Sequence, residues 1–304
     1  MSVLARETGI EELLATFGAQ WLPAQPLHAH TSLAVGGPAD LVRLSDTRRL
    51  PELMAYLRRQ GVAWRLLAGG TNLLVVDEGC DDVVLQLVRG SNGMKFDGRR
   101  VEVPAAASLG ATVTECARRN LGGLEGLIGI PGTVGGALWM NAGAYGTQIG
   151  SVVRAVTCYR GATGNVEVLR AKDLRFGYRH SGFAADDVLL SVLLELPERP
   201  YAEIVERIKE YNQLRRATQP IHEKSAGCIF KNPPGQSAGK LIDALGLKGT
   251  RVGGAVVSER HANFIVNRYA ATASDILKLM EMVRERVLKS YGIELEEEVV
   301  VWRK

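Results

Sequence analysis

The sequence predicts an α+β or mixed α/β fold in which strands outnumber helices. Short apolar runs bounded by glycine, proline or asparagine recur along the chain, and such runs are typical of strands. Two of the segments between them, residues 97–98 and 161–165, have the composition of hairpin turns. One helical repeat, in residues 276–291, is clear along its whole length.

Helices are predicted where apolar residues recur at intervals of three and four. For the repeat in residues 276–291, Thr272 and Asp275 form an N-terminal capping signal, and Gly292 is a natural end. The other predicted helices lie in residues 1–20, 50–57, 109–121, 204–211 and 237–245.

Strands are predicted for most of the other apolar runs. Residues 21–30 contain two prolines and are expected to be extended, and residues 33–44 are expected to form two strands separated by a glycine turn. The other predicted strands lie in residues 64–68, 73–76, 83–88, 94–96, 101–103, 152–159, 166–169, 188–196, 255–258, 263–267 and 298–302.

The composition is that of an ordinary globular protein, since 46% of the 304 residues are hydrophobic and 23% are charged. No run is long and apolar enough to span a bilayer, and the N-terminus lacks the apolar core of a signal peptide. We therefore expect a cytoplasmic protein of two or three domains. The net charge of +4 comes from scattered basic residues, which argues against nucleic acid and is compatible with an anionic small molecule.

The cysteines and histidines do not predict a metal site or a disulfide framework. Cys80, Cys116, Cys158 and Cys228 form no CxxC pair, and the five histidines are scattered. We expect the first three cysteines to pack as small apolar side chains.

Residues 69–72, Gly-Gly-Thr-Asn, lie between two predicted strands. Two glycines in a turn can direct successive N–H groups towards an anion, and Thr71 and Asn72 add side-chain donors. The alternatives are a pyrophosphate-binding loop and a plain hairpin turn. The segment matches neither GxGxxG nor a P-loop.

Residues 123–146 are rich in glycine and almost free of charge, with eight glycines among 24 residues. Large apolar side chains alternate with these glycines, so the segment is expected to be buried rather than a solvated linker. Glycine lets the backbone approach a ligand closely, and a bound polar cofactor can accept from the buried amides. The alternative is a tightly packed core crossover.

Seven motifs follow one another along nearly the whole chain. Together they resemble the UDP-N-acetylenolpyruvoylglucosamine reductases, flavin enzymes that complete UDP-N-acetylmuramate for bacterial peptidoglycan. The motifs lie in residues 68–75, 126–136 with 141–146, 177–183, 225–233, 238–242, 261–265 and 295–299.

The resemblance implies a two-part FAD-binding region of the vanillyl-alcohol-oxidase (PCMH) type and a C-terminal α+β substrate-binding domain. The implied domains are residues 1–89, joined by a C-terminal strand in 295–304, then residues 90–199, and residues 200–294. The segment between residues 183 and 225 is short, which is similar to the branch that lacks a tyrosine-bearing substrate loop. No substrate tyrosine is therefore predicted. A monomer is favoured, although the sequence leaves the oligomeric state open.

The cofactors implied by the resemblance are non-covalent FAD and, as hydride donor, NADPH. The FAD pyrophosphate is expected on residues 69–72, and the flavin along the glycine-rich stretch. The implied cofactor-binding residues are Gly69, Gly70, Thr71, Asn72, Gly129, Ile130, Pro131, Gly132, Thr133, Gly136, Asn141, Ala142 and Gly143.

The implied reaction passes a hydride from NADPH through FAD to carbon-3 of the enolpyruvyl group of UDP-N-acetylglucosamine enolpyruvate, after which carbon-2 is protonated. Arg179 is expected to stabilise the developing enolate, because a guanidinium stays charged and offers paired donors. Glu298 matches the catalytic glutamate of the family, although strand alternation alone places Glu296 on the same face. Glu296 and Glu297 are expected to lie at a solvated strand end.

Cys228 is the one departure among these catalytic positions, since many family members carry serine there as the proton donor. A thiol has a reference pKa of about 8.5, far below that of an alcohol, so we expect Cys228 to protonate carbon-2. The alternative is a passive buried cysteine. Lys231 and Asn232 are expected to contact the substrate, and Arg216 or its neighbour Arg215 to meet the UDP phosphates.

Two other functions are compatible with parts of the pattern. One is an FAD-dependent sugar or alcohol oxidase of the same fold; the absence of histidine between His30 and His180 argues against a covalently tethered flavin. The other is a non-catalytic nucleotide-binding protein, against which Arg179 and Glu298 argue.

Overall fold

The structure is a computed structural model, and it describes residues 9–88 and 93–304. Its backbone contacts divide the chain into two compact units. The first unit comprises the described parts of Met1–Pro23, Asp40–Gly69 and Asp82–Gln213. The second unit comprises Ala24–Ala39, Gly70–Asp81 and Leu214–Lys304. The three-domain division stays a prediction.

Seven α-helices lie within the described residues, and each of the six predicted helical segments overlaps one of them. They are α1 (Ile10–Thr16), α2 (Leu50–Arg59), α3 (Leu109–Arg118), α4 (Val134–Trp139), α5 (Tyr201–Thr218), α6 (Ala238–Ala244) and α7 (Ala273–Tyr291). The additional helix, α4, lies in the glycine-rich stretch, where no helical repeat is visible in the sequence. Residues 1–8 of the first predicted helix lie outside the described part of the chain.

The strands of the described residues are more numerous than the helices, as predicted. In chain order they are β1 (Ala19–Pro26), β2 (Pro38–Leu44), β3 (Trp64–Leu66), β4 (Leu73–Val75), β5 (Val83–Leu87), β6 (Lys95–Asp97), β7 (Arg100–Pro104), β8 (Gly143–Ala144), β9 (Thr147–Gln148), β10 (Val153–Arg160), β11 (Asn165–Arg170), β12 (Val188–Glu195), β13 (Arg251–Val252), β14 (Ala255–Val257), β15 (Ile265–Asn267) and β16 (Val300–Trp302).

The largest sheet has the order β11-β10-β12-β7-β6 and is antiparallel at every described pairing. Both predicted hairpins, β6–β7 and β10–β11, belong to it. A second sheet has the order β1-β2-β5-β3, and β5 runs parallel to both of its neighbours. Buried side chains of the first unit pack under the large sheet, with α3 and α4 contributing Val113, Cys116 and Leu138.

The second unit is built around α7. The side chain of Thr272 accepts from the N–H of Asp275, and the Asp275 side chain accepts from the N–H of Thr272, which confirms the predicted capping box. Both carboxylate oxygens of Asp77 accept N–H groups from the first turn of this helix. Ile276, Leu279 and other buried residues of α7 pack in one core with β14 and β15.

One predicted strand is absent. Leu33 and Val35 are buried, but Leu33 lies in a turn and Val35 in an irregular segment, and neither belongs to a strand. The side chain of Asn267 donates to the carbonyl of Leu33 at 2.9 Å, so a side chain satisfies a group that a strand partner would otherwise bind.

A buried ion pair anchors the start of the glycine-rich stretch. The carboxylate of Glu125 is only 4% exposed, accepts from Arg199 Nη1 at 2.6 Å, and accepts the Gly123 N–H at 2.7 Å. A buried carboxylate needs such partners, because its desolvation is otherwise uncompensated.

We predict that Arg199→Ala lowers the free energy of unfolding by about 3 kcal/mol, because it leaves the buried Glu125 carboxylate without its ion-pair partner. Chemical denaturation monitored by circular dichroism measures this loss. The control is Arg118→Ala, which removes an exposed partner of Glu115 and should cost less than about 1 kcal/mol. An equal loss of unfolding free energy in the two variants would contradict the larger contribution predicted for the buried Arg199–Glu125 pair.

Candidate active site

Residues 69–72 do not form a hairpin turn. The strand before them, β3, pairs with β5, whereas the strand after them, β4, pairs in parallel with the C-terminal strand β16. The hairpin alternative left open by the sequence is therefore wrong. Gly69 belongs to the first unit, and residues 70–72 belong to the second.

Gly69 contacts the glycine-rich stretch within the first unit. A Cβ atom at Gly69 would lie 2.8 Å from the Cα of Gly132, and one at Gly136 would lie 3.3 Å from the Cβ of Ala68. The structure thus brings the first glycine of the predicted pyrophosphate loop against the predicted flavin-lining segment. Main chain meets main chain there, with no side chain between.

Gly70 is buried and has a φ of +62°, in the left-handed region. A Cβ atom at this position would collide with the carbonyl oxygen of His30, and the Gly70 carbonyl accepts the Ser32 N–H at 3.0 Å. A side chain at Gly69 or Gly70 would therefore displace backbone. Bare main chain of this kind fits a bound diphosphate, which hydrogen-bonds to backbone N–H groups.

The other predicted cofactor residues have mixed exposure. In the glycine-rich stretch the hydroxyl of Thr133 caps α4 by accepting the Gly136 N–H at 3.1 Å. Gly69, Gly129 and Pro131 are exposed, and Gly70 and Asn141 are buried. The half-buried ones are Thr71, Asn72, Ile130, Gly132, Thr133, Gly136, Ala142 and Gly143.

Arg179 lies in a tight turn of the first unit. The Gly177 and His180 backbones exchange hydrogen bonds of 2.8 and 3.3 Å, which leaves Tyr178 and Arg179 as the two central residues. Arg179 has a φ of +54°, although this turn position normally favours glycine. A non-glycine residue in this region carries strain that neighbouring contacts must offset, and such strain is concentrated at functional sites.

The neighbouring contacts come from the C-terminal end of α4. Asn141, only 2% exposed, donates from Nδ2 to the Gly177 carbonyl at 2.9 Å and accepts the Gly150 N–H at 3.1 Å. On the other side of Arg179, Ser181 donates to the Trp139 carbonyl at 2.6 Å. The amide of Asn141 thus supports the Arg179 turn, and a role for Asn141 towards the cofactor stays a prediction.

Cys228 and Glu298 are brought close together within the second unit. The carbonyl of Ile229 accepts the N–H groups of Glu298 at 2.7 Å and Val299 at 3.3 Å. Phe230 and Glu297 form an antiparallel bridge, and the Lys231 N–H donates to the Glu296 carbonyl. Since Cys228 directly precedes Ile229, the backbone holds the predicted donor beside the predicted glutamate.

Asn263 fixes the other side of the Cys228 segment, and sequence reasoning assigned it no role. Its side chain donates to the Phe230 carbonyl at 2.7 Å and accepts the Phe230 N–H at 3.0 Å, while its carbonyl accepts the Ile229 N–H. This buried amide replaces a pairing strand. In the sequence, the feature that could have pointed to a role for Asn263 is its position in the motif of residues 261–265.

The three consecutive acids have different surroundings. Glu296 is exposed, with 76% of its side chain accessible, and pairs with Lys231 at 3.1 Å. Glu297 was expected to be solvated, and that expectation is wrong: it is half-buried and accepts from Arg284 of α7 at 2.7 Å. Glu298 is also half-buried, and its N–H donates to the carbonyl of Ile229, the residue that follows Cys228.

The predicted substrate residues also lie in the second unit. Asn232 accepts the Ala238 N–H at the start of α6. Arg216 is exposed, and its carbonyl accepts from Arg260. Arg215 is 7% exposed and donates to Gln219 at 3.2 Å, so the more accessible of the two candidates is Arg216.

Cys228 is the most accessible of the four cysteines. Cys80, Cys116 and Cys158 are buried, as predicted, and Cys228 is half-buried. Burial raises the pKa of Cys116 and of Cys158 to about 12, which makes these two thiols weaker acids than an ordinary cysteine.

The described residues contain neither a metal cluster nor a membrane-spanning helix. Within them, no group of three or more His, Cys, Asp or Glu side chains is arranged to hold a metal ion. Among the described helices, none combines the length and apolarity needed to cross a bilayer.

Comparison with known proteins agrees with this geometry. A model of the FAD binding domain matches residues 38–170, which include both glycine segments. A model of the UDP-N-acetylenolpyruvoylglucosamine reductase C-terminal domain matches residues 219–302, which include Cys228 and Glu298.

Whole-chain relatives carry the same name. The UDP-N-acetylenolpyruvoylglucosamine reductase of Pelobacter propionicus is 43% identical over 91% of this chain and 94% of its own length. That of Moorella thermoacetica is 41% identical over 96% of each chain. The crystal structure of the reductase from Thermus caldophilus superposes with a TM-score of 0.80 at 40% identity, over 94% of this chain and 99% of that one.

The fold and the glycine segments therefore define an FAD-dependent oxidoreductase, and the predicted fold class is confirmed. More specifically, the chain belongs to the UDP-N-acetylenolpyruvoylglucosamine reductase family.

We predict that Gly70→Ala abolishes flavin retention, because the new methyl group collides with the His30 carbonyl and displaces the loop. The ratio of flavin to protein absorbance after gel filtration measures this loss. The matched control is Gly235→Ala, which has a φ of +71° but no atom within 4 Å of the new Cβ. The control should lose only about 1–2 kcal/mol of stability and keep its flavin. Full flavin content in Gly70→Ala would contradict the assignment of this loop.

Proposed function

We propose that the protein catalyses the NADPH-dependent reduction of UDP-N-acetylglucosamine enolpyruvate to UDP-N-acetylmuramate, a step of peptidoglycan precursor synthesis in the cytoplasm. One observation carries the proposal: a segment bearing a thiol is paired with a segment bearing a carboxyl group inside the region that matches the reductase C-terminal domain. The names of the relatives support the same substrate.

The reaction adds a hydride to carbon-3 of the enolpyruvyl group and a proton to carbon-2. Bound FAD would supply the hydride-transfer chemistry between NADPH and the substrate. The protein must hold FAD and substrate in register, stabilise the negative charge that develops on the enolate, and supply the proton. Residues of the two glycine segments are proposed to hold FAD.

Arg179 is the proposed stabiliser of the enolate. Its guanidinium stays charged at all working pH values and can form paired hydrogen bonds to a carboxylate and the adjoining enolate oxygen. Two hydrogen bonds, from Asn141 to the Gly177 carbonyl and from Ser181 to the Trp139 carbonyl, fix the backbone on both sides of Arg179 before substrate binds. A pre-positioned charge stabilises a developing anion without costly reorganisation.

Cys228 is the proposed proton donor to carbon-2, and Glu298 the second acid–base group beside it. The lower reference pKa of a thiol makes it a better acid than the serine hydroxyl found in many relatives. Lys231, Asn232 and Arg216 are the proposed substrate contacts. Lys231 is oriented by Glu296, and Arg216 lies exposed at the end of α5.

Two anaerobic half-reactions test the proposed function. NADPH should reduce the flavin of the purified protein, and UDP-N-acetylglucosamine enolpyruvate should then reoxidise it rapidly and give UDP-N-acetylmuramate. A flavin that is reduced by NADPH but ignores this substrate would contradict the proposal and move the function towards another flavin-dependent reaction.

We predict that Cys228→Ala slows flavin reoxidation by the substrate about 100-fold or more, the usual contribution of a positioned general acid. Cys228→Ser should retain much of the parental rate, because a hydroxyl can still donate. Stopped-flow absorbance of the flavin measures both variants. Unchanged flavin reduction by NADPH serves as the control that the cofactor is bound. A parental reoxidation rate in Cys228→Ala would end the assignment of this donor.

We predict that Arg179→Lys slows reoxidation about 100-fold, because lysine keeps the charge but loses the paired donors. The control is Arg175→Lys, an exposed arginine of the same segment that should react at the parental rate. The same stopped-flow measurement compares them. If both variants lose activity equally, the effect belongs to the segment and not to the Arg179 guanidinium.

A further inference from the structure

Asn72, the last residue of the proposed pyrophosphate loop, is bonded to the segment that carries Glu298. Its Nδ2 donates to the Glu298 carbonyl at 3.0 Å, a contact between residues 226 positions apart in the chain. Its own carbonyl accepts the Val300 N–H at 3.0 Å. One residue therefore makes two hydrogen bonds to this segment within the second unit.

The peptide groups on both sides of the Glu298 Cα atom are fixed by different partners. The N–H of Glu298 donates to the Ile229 carbonyl at 2.7 Å, and the carbonyl of Glu298 accepts from Asn72. The direction of a side chain follows from the backbone orientation at its Cα atom. The Ile229 contact ties Glu298 to Cys228, and the Asn72 contact ties it to the cofactor loop.

The side-chain amide of Asn72 therefore uses one of its donors within the protein, on the Glu298 carbonyl. Asn72 and Glu298 are both half-buried, where a hydrogen bond competes less with water than at an exposed position. A residue whose only task was to bind pyrophosphate would not need a side-chain amide aimed at a backbone carbonyl next to β16.

We infer that Asn72 is a positioning residue for Glu298, which links the cofactor loop to the acid–base side of the site. The inference rests on the proposed role of Glu298. It assigns Asn72 an effect on the substrate half-reaction in addition to any contact with FAD.

The test variant is Asn72→Asp, which keeps the shape but places a carboxylate oxygen against the Glu298 carbonyl in place of the donor. Asn72→Ala is the second variant, because it removes the donor without adding charge. At saturating FAD, reoxidation by substrate should slow about 10- to 100-fold, since small displacements of a catalytic group have effects of this size. Flavin reduction by NADPH should slow by a clearly smaller factor, because that half-reaction does not use Glu298, and the substrate concentration for half-maximal reoxidation should change little.

The matched control is Asn267→Asp. Asn267 makes the same type of contact in the same unit, donating from Nδ2 to the Leu33 carbonyl at 2.9 Å. If loss of such a bond acts only through general stability, both asparagine variants will show the same kinetics. The inference expects reoxidation to slow in the Asn72 variants and to remain parental in Asn267→Asp.

Hydrogen exchange of the C-terminal peptide, residues 295–304, gives a readout that does not depend on activity. Exchange there should be roughly tenfold faster in the Asn72 variants, as expected for loss of a hydrogen bond, and unchanged in Asn267→Asp. Unchanged exchange, or a parallel loss of both half-reactions, would overturn the inference and leave Asn72 as a cofactor ligand alone. If the parental flavin is not reoxidised by the substrate, the proposed function fails, and the exchange result still decides whether Asn72 holds this segment.

Discussion

The pairing of residues 229–231 with residues 296–299 is the constraint on which the proposed catalytic part of the second unit depends. It consists of a few backbone hydrogen bonds, with two of them converging on the Ile229 carbonyl. Asn263 holds the opposite side of the same segment through its side-chain amide. Neither Cys228 nor Glu298 lies in a helix or strand. These hydrogen bonds on both sides of the segment are therefore what holds Cys228 beside Glu298.

In the first unit, side-chain hydrogen bonds hold the turn that carries Arg179. Arg179 occupies a turn position that disfavours its side chain, and hydrogen bonds involving Asn141 and Ser181 offset that strain. Asn141 and Trp139, the partner of Ser181, lie at or just after the end of α4, within the glycine-rich stretch. The segment proposed to line the flavin therefore also carries the support of the proposed enolate stabiliser.

Features with local signals could be predicted from the sequence. The capping box of α7 and the two hairpins depend on residues a few positions apart, and all three are present. The strand predicted around Leu33 failed, because burial of apolar residues does not reveal whether a strand partner or a side chain such as Asn267 satisfies the backbone. The proposed catalytic residues could be identified from the family motifs. The hydrogen-bond partners of the Asn72, Asn141 and Asn263 side chains could not, because they lie in distant parts of the chain.

The central claim is that the thiol of Cys228 and the carboxyl group of Glu298, which the backbone pairing holds close together, act on one enolpyruvyl group. A crystal structure of the FAD-loaded Cys228→Ala variant with UDP-N-acetylglucosamine enolpyruvate would test it most directly. The account predicts that Glu298 contacts the enolpyruvyl group and that the methyl group introduced by the substitution lies about 4 Å from carbon-2, at van der Waals distance. An enolpyruvyl group bound away from these two positions, with a different acid facing carbon-2, would contradict it.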